Sequence, residues 1–181
     1  MRKRLRDRAE VIEILSDLSR VTTGHLLVSI FNKEDADVPA QSGLRSAYKV
    51  SVRANQNDII QVGSYLSVGT RLFHVTSTRD GNYIRDGVFI TADEFIGRKA
   101  TYTPSGGDPV PCRVHLTHDA PYFDDFGKIT SYRIKAEVIL LEVGRPQAGD
   151  KIRIGSVDYV VTQYANDTDD AVVRGLWLDI A

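Results

Sequence analysis

The sequence has a single cysteine, Cys112, no long apolar run and almost no net charge. One cysteine cannot form an intrachain disulfide, which favours a reducing compartment. No stretch approaches the roughly 18 consecutive apolar residues that cross a bilayer, and the N-terminus lacks the apolar segment of a signal peptide. We therefore expect a soluble, intracellular protein with no membrane partner. A formal net charge of −1 gives the whole chain no attraction to phosphate backbones.

Residue types that carry chemistry are sparse, and their spacing fits no familiar site. No zinc-binding spacing joins the histidines with Cys112, and this cysteine has no evident His or Asn partner for nucleophilic catalysis. The acidic loops lack the pattern of a calcium-binding loop, and no glycine-rich phosphate-binding motif is present. We predict no catalytic residue, no metal site and no cofactor, and a protein that is not an enzyme. The histidines and loop acids concerned are His25, His74, His115, His118, Asp124, Asp125, Asp167, Asp169 and Asp170.

Apolar residues recur at three- and four-residue spacing near the N-terminus, at Leu5, Ala9, Ile12, Leu15 and Leu18. This spacing predicts one amphipathic helix over about residues 4–20. The first turns of this helix are basic, which has two interpretations: a solvated helix face, or contact with an acidic partner surface or DNA. The candidate interface residues of the second interpretation are Arg2, Arg4 and Arg6.

After Val21 the chain consists of short β-branched and aromatic stretches separated by Gly, Asn and Asp, which predicts strands and tight turns. The predicted fold class is mainly β, with two tandem small β-barrel or sandwich units and one N-terminal α-helix. Residues 1–21 form the helix, 22–97 the first unit and 98–181 the second. The predicted strands are 25–31, 48–54, 65–69, 71–77 and 87–91, then 99–104, 111–117, 131–142, 151–155, 157–165 and 172–180.

The two predicted units share a sequence pattern. Residues 63–75 align without a gap on residues 149–161, with two glycines and the core-facing aliphatic residues in the same places. Upstream, Tyr48 aligns with Tyr132 at a spacing of 84, and downstream Gly87 aligns with Gly175 at a spacing of 88. Three segments that agree in order predict a duplicated β unit. Only the second unit has the hairpin of residues 100–116, so the copies have diverged.

The C-terminal unit carries an ATYTPSGG opening hairpin, an A-G-D-x-I-x-I-G-x-x-x-Y-x-V hairpin and a Leu-Trp-Leu closing strand, at 100–107, 148–161 and 176–178. In these segments it resembles the small head-tail joining proteins of tailed phages, the head-completion or stopper proteins of lambda-like siphophages. The resemblance implies a structural virion protein of the phage neck, made in the host cytoplasm. Family members are usually single units that form six-fold rings, so a two-unit chain implies a hexamer with an extra layer or a trimer that imitates six units.

The resemblance implies a ring-forming connector that joins a portal or adaptor protein to a tail terminator or tail tube protein. Exposed strand edges and long loops make the contacts, and genomic DNA passes through the lumen without specific binding. Two other hypotheses remain open: a tail or baseplate component, and an OB-like ligand or nucleic-acid-binding module, which needs basic and aromatic side chains on one barrel face. Strand arginines for such a face are Arg53, Arg71 and Arg153.

The long loop of residues 117–128 is the second candidate interface, with Tyr122, Phe123, Asp124, Asp125 and Phe126 as its candidate residues. Its aromatic side chains either fold back onto the barrel or dock on a neighbouring subunit or partner ring, because aromatic anchors dominate interface energetics. The acids disfavour contact with DNA if the loop faces a channel.

Overall fold

The computed structural model describes residues 5–32, 43–81, 87–123, 126–165 and 168–181. The chain divides into two compact units, residues 1–95 and 96–181. Each unit contains a closed barrel of six strands. No helix among the described residues is long and apolar enough to span a membrane.

The first barrel has the strand order β1-β2-β3-β6-β5-β4, with all neighbours antiparallel. Its interior is filled by apolar side chains that alternate with outward-facing ones, as a half-buried strand requires. Leu66, Phe73 and Val75 are fully buried there. The strands are β1 (Asp7–Ile14), β2 (Arg20–Asn32), β3 (Arg45–Ala54), β4 (Tyr65–Val68), β5 (Arg71–Asp80) and β6 (Val88–Phe95).

The second barrel repeats this order as β7-β8-β9-β12-β11-β10. Ile152, Val161 and Leu176 lie at the centre of its core. Its elements are β7 (Arg98–Thr103), β8 (Val110–Phe123), β9 (Ile129–Ile139), a short helical turn α1 (Leu140–Val143), β10 (Lys151–Ile154), β11 (Val157–Ala165) and β12 (Val173–Ile180). Because both barrels close, their strands pair on both sides, and the exposed barrel edges expected from the sequence are not found in the described strands.

The predicted N-terminal helix is wrong, because residues 7–14 form strand β1. Ala9 and Val11 face the core at the two-residue spacing of a strand and are fully buried. Ile12 lies on the opposite face of the strand, pairs with Tyr65 of β4 and is buried as well. Burial on both faces of β1 gives the three-residue step from Ala9 to Ile12 that imitates a helix. Leu15, expected on the buried helix face, is 46% exposed.

Several other boundaries also differ from the sequence prediction. β8 continues to Phe123 through an irregularity near Asp119, whose φ is 56°, so most of the predicted loop 117–128 is strand. β9 ends at Ile139, where α1 begins, although the sequence predicted strand to residue 142. The predicted strand 87–91 continues to Phe95 as β6.

The two barrels share backbone pairing as well as strand order. The amide of Gly63 donates to the carbonyl of Val75 at 2.9 Å, and 86 residues later the amide of Gly149 donates to the carbonyl of Val161 at 2.8 Å. A bulge follows Val75 in β5 and Val161 in β11. β1 therefore occupies in the first barrel the place that β7 has in the second, and the first unit does not lack that hairpin.

The same register corrects one alignment. Val52 pairs with Ile90 in the first barrel, and Ala136 pairs with Leu176 in the second. The spacing is thus 84 between β3 and β9, as the sequence indicated, but 86 between β6 and β12. The spacing of 88 that placed Gly87 on Gly175 was wrong by two residues, a shift that preserves the strand alternation and so left no trace in the sequence pattern.

Candidate interface on the second unit

The β8–β9 hairpin extends beyond the barrel as a two-stranded ribbon. Among the described pairings, residues 120–123 of β8 pair only with residues 129–133 of β9, whereas the earlier part of β8 also pairs with β7. We call residues 120–133 the arm, of which residues 124–125 lie outside the described part. The arm coincides with most of the loop that the sequence singled out as a candidate interface.

One face of the arm packs on its own barrel through Tyr122. Its ring meets the Trp177 ring edge-on, with the two centroids 5.2 Å apart. The Gln163 side-chain amide donates to the Tyr122 hydroxyl at 2.8 Å, and the Arg133 guanidinium stacks 3.8 Å from the Tyr122 ring centroid. Ala120 and Ala165 complete this small cluster. Tyr122 therefore follows the first of the two expected behaviours and folds back onto the barrel.

The other face of the arm is apolar and exposed. Cross-strand partners share a face of a ribbon, and the pairs Pro121–Tyr132 and Phe123–Ile129 lie opposite to Tyr122. Tyr132 is 65% exposed and Phe123 is 51% exposed. Phe126, at the tip of the arm, is 96% exposed. Apolar side chains that are grouped on an exposed surface do not contribute to the stability of a monomer. This outer face is therefore a candidate docking surface.

The structure thus divides the predicted interface residues. Phe123 and Phe126 are exposed on the arm, Tyr122 is packed inward, and Asp124 and Asp125 lie outside the described residues. Sequence analysis missed Ile129 and Tyr132, because they belong to β9 and join the patch only through the hairpin register.

The described part of the predicted basic cluster lies at the start of a strand and not on a helix face. The Arg6 side chain is exposed, and its amide donates to the carbonyl of Val28 at 3.0 Å as β1 begins. Arg2 and Arg4 lie outside the described residues. The N-terminal interface residues therefore gain no common surface in the described part of the chain.

Two strand arginines named for the nucleic-acid hypothesis are engaged in ion pairs. Arg71 contacts the Glu94 carboxylate with two nitrogens, at 2.6 and 2.7 Å, and the hydrogen bond with Glu94 raises the pKa of Arg71. Arg153 makes a similar pair with Asp158, which raises the pKa of the arginine and lowers that of the carboxyl. Both guanidiniums are neutralised by neighbouring carboxylates, which weakens their attraction for phosphate.

Cys112 is a core residue of β8 with 7% exposure. Burial, with a smaller contribution from the charge of Glu142, raises the pKa of its thiol to about 12. A thiol that stays protonated is a poor nucleophile. No cluster of three potential metal ligands occurs in the described ranges.

A family model described as the phage head-tail attachment protein matches residues 85–178, just over half of the chain. This chain belongs to the phage head-tail attachment protein family. The family resemblance that the sequence indicated is confirmed, and the protein is a structural component of a phage neck, where head and tail are joined. The matched region contains the whole arm and nearly all of the second barrel. No curated protein and no solved structure matches this chain.

Proposed function

We propose that this head-tail attachment protein forms a ring in the phage neck and that the arm makes the contacts between protein subunits. The observation that carries the proposal is the apolar outer face of the arm, with Phe123, Phe126 and Tyr132 all more than half exposed. Burying large aromatic side chains is the main source of interface energy in most complexes. The inward face is already held by Trp177, so the arm presents this surface in a fixed direction.

A ring suits this contact because closed rotational symmetry repeats one weak contact around the assembly. Within the barrels the described strands are paired on both sides, so the contact is made by side chains of the arm and by the edges of its ribbon. On each side of the ring we propose head and tail partners: a portal or adaptor protein, and a tail terminator or tail tube protein. Genomic DNA passes through the lumen without specific binding, in agreement with the near-zero net charge.

We further propose that the two barrels arose by duplication. The shared strand order and the repeated hydrogen bonds at Gly63 and Gly149 support this, because unrelated small barrels have no reason to place the same bulge after Val75 and Val161. Two barrels per chain make a trimer of six barrels or a hexamer of twelve the natural ring sizes.

Light scattering over a concentration series, followed by negative-stain imaging, tests the proposal. We expect trimers or hexamers with a central hole. The double variant Phe126→Ser with Tyr132→Ser should remain folded, since both side chains are exposed, and should not assemble. A wild-type protein that is monomeric at every concentration, or an arm variant that assembles as well as wild type, would contradict the proposal.

A further inference from the structure

The outer wall of the first barrel carries a groove of about 580 Å³. Four strands build it, and the pairing places its side chains in two parallel rows across them. One row has mostly small side chains, and the other has two arginines on either side of an aromatic ring. The rows are Phe31, Ser51, Thr91 and Ser77, and then Arg53, Phe89 and Arg79.

The second row combines positive charge with an aromatic surface. The guanidinium carbons of Arg53 and Arg79 lie 5.5 and 5.9 Å from the centroid of the Phe89 ring. Phe89 is 40% exposed, and the floor of small side chains beside it leaves room for another ring. A ligand that fits this groove has an aromatic side chain for stacking and a carboxylate that can pair with the exposed Arg79, because arginine forks pair with carboxylates and stack on rings.

The second barrel shows what the corresponding wall can hold. The register shows that Thr91 corresponds to Trp177. Thr91 pairs with Ser77, the first paired residue after the bulge in β5, and Trp177 pairs with Gln163, the first paired residue after the bulge in β11. In the second barrel this wall is covered by Tyr122 of the arm. A β-hairpin that lays an aromatic ring on this wall is therefore an arrangement that the molecule itself already uses.

We propose that the groove of the first barrel receives the arm of a second copy of this chain, with Phe126 between Arg53 and Arg79. The arm is the segment whose chemistry matches: a 96% exposed Phe126 preceded in sequence by Asp124 and Asp125. The sequence of residues 33–42, which leads into β3 of the same barrel, is acidic but has no aromatic residue. The proposal rests on the proposed self-assembly through the arm and names its receptor.

The contact joins two different surfaces, the arm of one copy and the groove of the next. A heterologous contact of this kind generates a ring when its rotation closes. It also uses the first barrel as the receptor and the second as the donor, which gives each of the two units a different task in the same interface.

Photo-crosslinking tests the assignment directly. Phe126 is replaced by p-benzoylphenylalanine in ¹⁵N-labelled chains, which are mixed with unlabelled wild-type chains, irradiated and analysed by peptide mass spectrometry. We expect crosslinks between a labelled and an unlabelled peptide, in which the unlabelled peptide comes from β5 or β6. Crosslinks confined to one chain, crosslinks to other strands, or no interchain crosslink at high concentration would overturn the proposal.

Exposed variants of the groove give an independent measurement. Arg79→Glu should weaken self-association roughly tenfold or more, as removal of a central contact residue does. Lys151→Glu makes the same charge change on the second barrel, where the side chain is exposed, and should leave association unchanged. If the arm variant Phe126→Ser dissociates the assembly and Arg79→Glu does not, the groove assignment fails while assembly through the arm stands. Oligonucleotide binding that is lost in Arg79→Glu without a change in self-association would assign the groove to nucleic acid and overturn the proposal.

Discussion

At the turn before the fourth strand of each barrel, the first barrel has Ser64 where the second has Asp150. Both residues exchange hydrogen bonds with a glutamine three positions earlier. The backbone amide of Gln61 donates to the Ser64 hydroxyl at 3.1 Å, and the backbone amide of Gln147 donates to the Asp150 carboxylate at 2.6 Å. In return, the backbone amides of Ser64 and Asp150 donate to the carbonyls of these glutamines. Asp150 accepts two further hydrogen bonds, one from the Tyr102 hydroxyl and one from the Ser105 amide. The same backbone turn is thus held by one hydroxyl in the first barrel and by a buried carboxylate network in the second.

The difference shows that a substitution at a single position changes the number of hydrogen bonds that hold the same turn. In the first barrel the strand residue that corresponds to Tyr102 is Val11, which is apolar, so a serine suffices there. In the second barrel the Tyr102 hydroxyl donates a hydrogen bond to the Asp150 carboxylate, and both side chains are almost fully buried. A buried charge is tolerated only when it is fully hydrogen-bonded, so the second barrel depends much more on this one residue.

The sharpest test of the comparison replaces the two residues separately. Asp150→Ala should lower the free energy of unfolding of the second barrel by about 3 kcal/mol, because it removes charge-assisted bonds and leaves the Tyr102 hydroxyl buried without a partner. Ser64→Ala should cost the first barrel about 1 kcal/mol. Peptide-resolved hydrogen exchange reports on each barrel in the same sample, and equal losses in both would contradict the comparison.

A second test separates the two faces of the arm. Tyr122→Ala should destabilise the second barrel by about 2 kcal/mol, since it removes the edge-on contact with Trp177 and uncovers that indole. Trp177 is the sole tryptophan, so its fluorescence reports on this barrel and should shift to longer wavelength. Phe126→Ala is the matched control in the same arm and should leave the urea midpoint of the monomer unchanged. A Tyr122→Ala barrel as stable as wild type would mean that the arm is not anchored.

Alkaline pH should weaken the second barrel first. The buried Cys112 thiol has its pKa raised to about 12 from an ordinary 9.0, and burial together with Asp150 raises the pKa of Tyr102. A raised pKa keeps the proton on the folded state, so stability is complete below the ordinary pKa and falls as the unfolded chain ionises above it. The loss should approach about 1.4 kcal/mol per pH unit for each group, above pH 9 for the Cys112 thiol and above pH 10 for the Tyr102 phenol.

The position that corresponds to Cys112 in the first barrel is Leu26, which does not titrate. Urea unfolding monitored by tryptophan fluorescence from pH 7 to 10 should therefore show a steeper decline for wild type than for Cys112→Ala, even though the variant is less stable at pH 7. Parallel declines in the two proteins would exclude the thiol as the cause.

The smallest expected effects concern the surface ion pairs. Arg71 is partly buried, pairs with Glu94 through two nitrogens and lies 4.8 Å from the Phe73 ring centroid. Arg71→Met should cost about 0.5 to 1 kcal/mol after allowance for solvent screening. Arg153→Met removes a fully exposed pair and should not change the thermal midpoint measurably. A larger loss for the Arg153 variant would invert the ranking.

Sequence reasoning succeeded where a strand alternates without interruption and ends in a glycine turn. Gly69 and Gly155 sit in the tight turns of the β4–β5 and β10–β11 hairpins with φ of 60° and 62°, a conformation that disfavours other residues. These hairpins carry the gapless part of the alignment between the units. The family resemblance rested on the second of them and on the opening hairpin of the same barrel.

The errors arose where the two-residue alternation of buried and exposed side chains fails. Burial on both faces of β1 gave residues 7–14 a helical spacing, and the irregularity near Asp119 made the start of the arm resemble a loop. The groove could not be predicted, because it joins residues from four strands that are far apart in sequence and become neighbours only through the register. Half of the arm's apolar face was missed for the same reason.

The anchoring of the arm by Tyr122 has a consequence for the free energy of assembly. A free loop would lose conformational entropy each time it bound a partner, and this loss would offset part of the binding free energy. Here the hydrogen bond from Gln163 and the stacking of Arg133 already restrict the ribbon in the folded subunit, before any partner binds. The part of the arm around Tyr122 is therefore already ordered before the neck subunit meets a partner, and its binding should lose less conformational entropy than binding by a free loop.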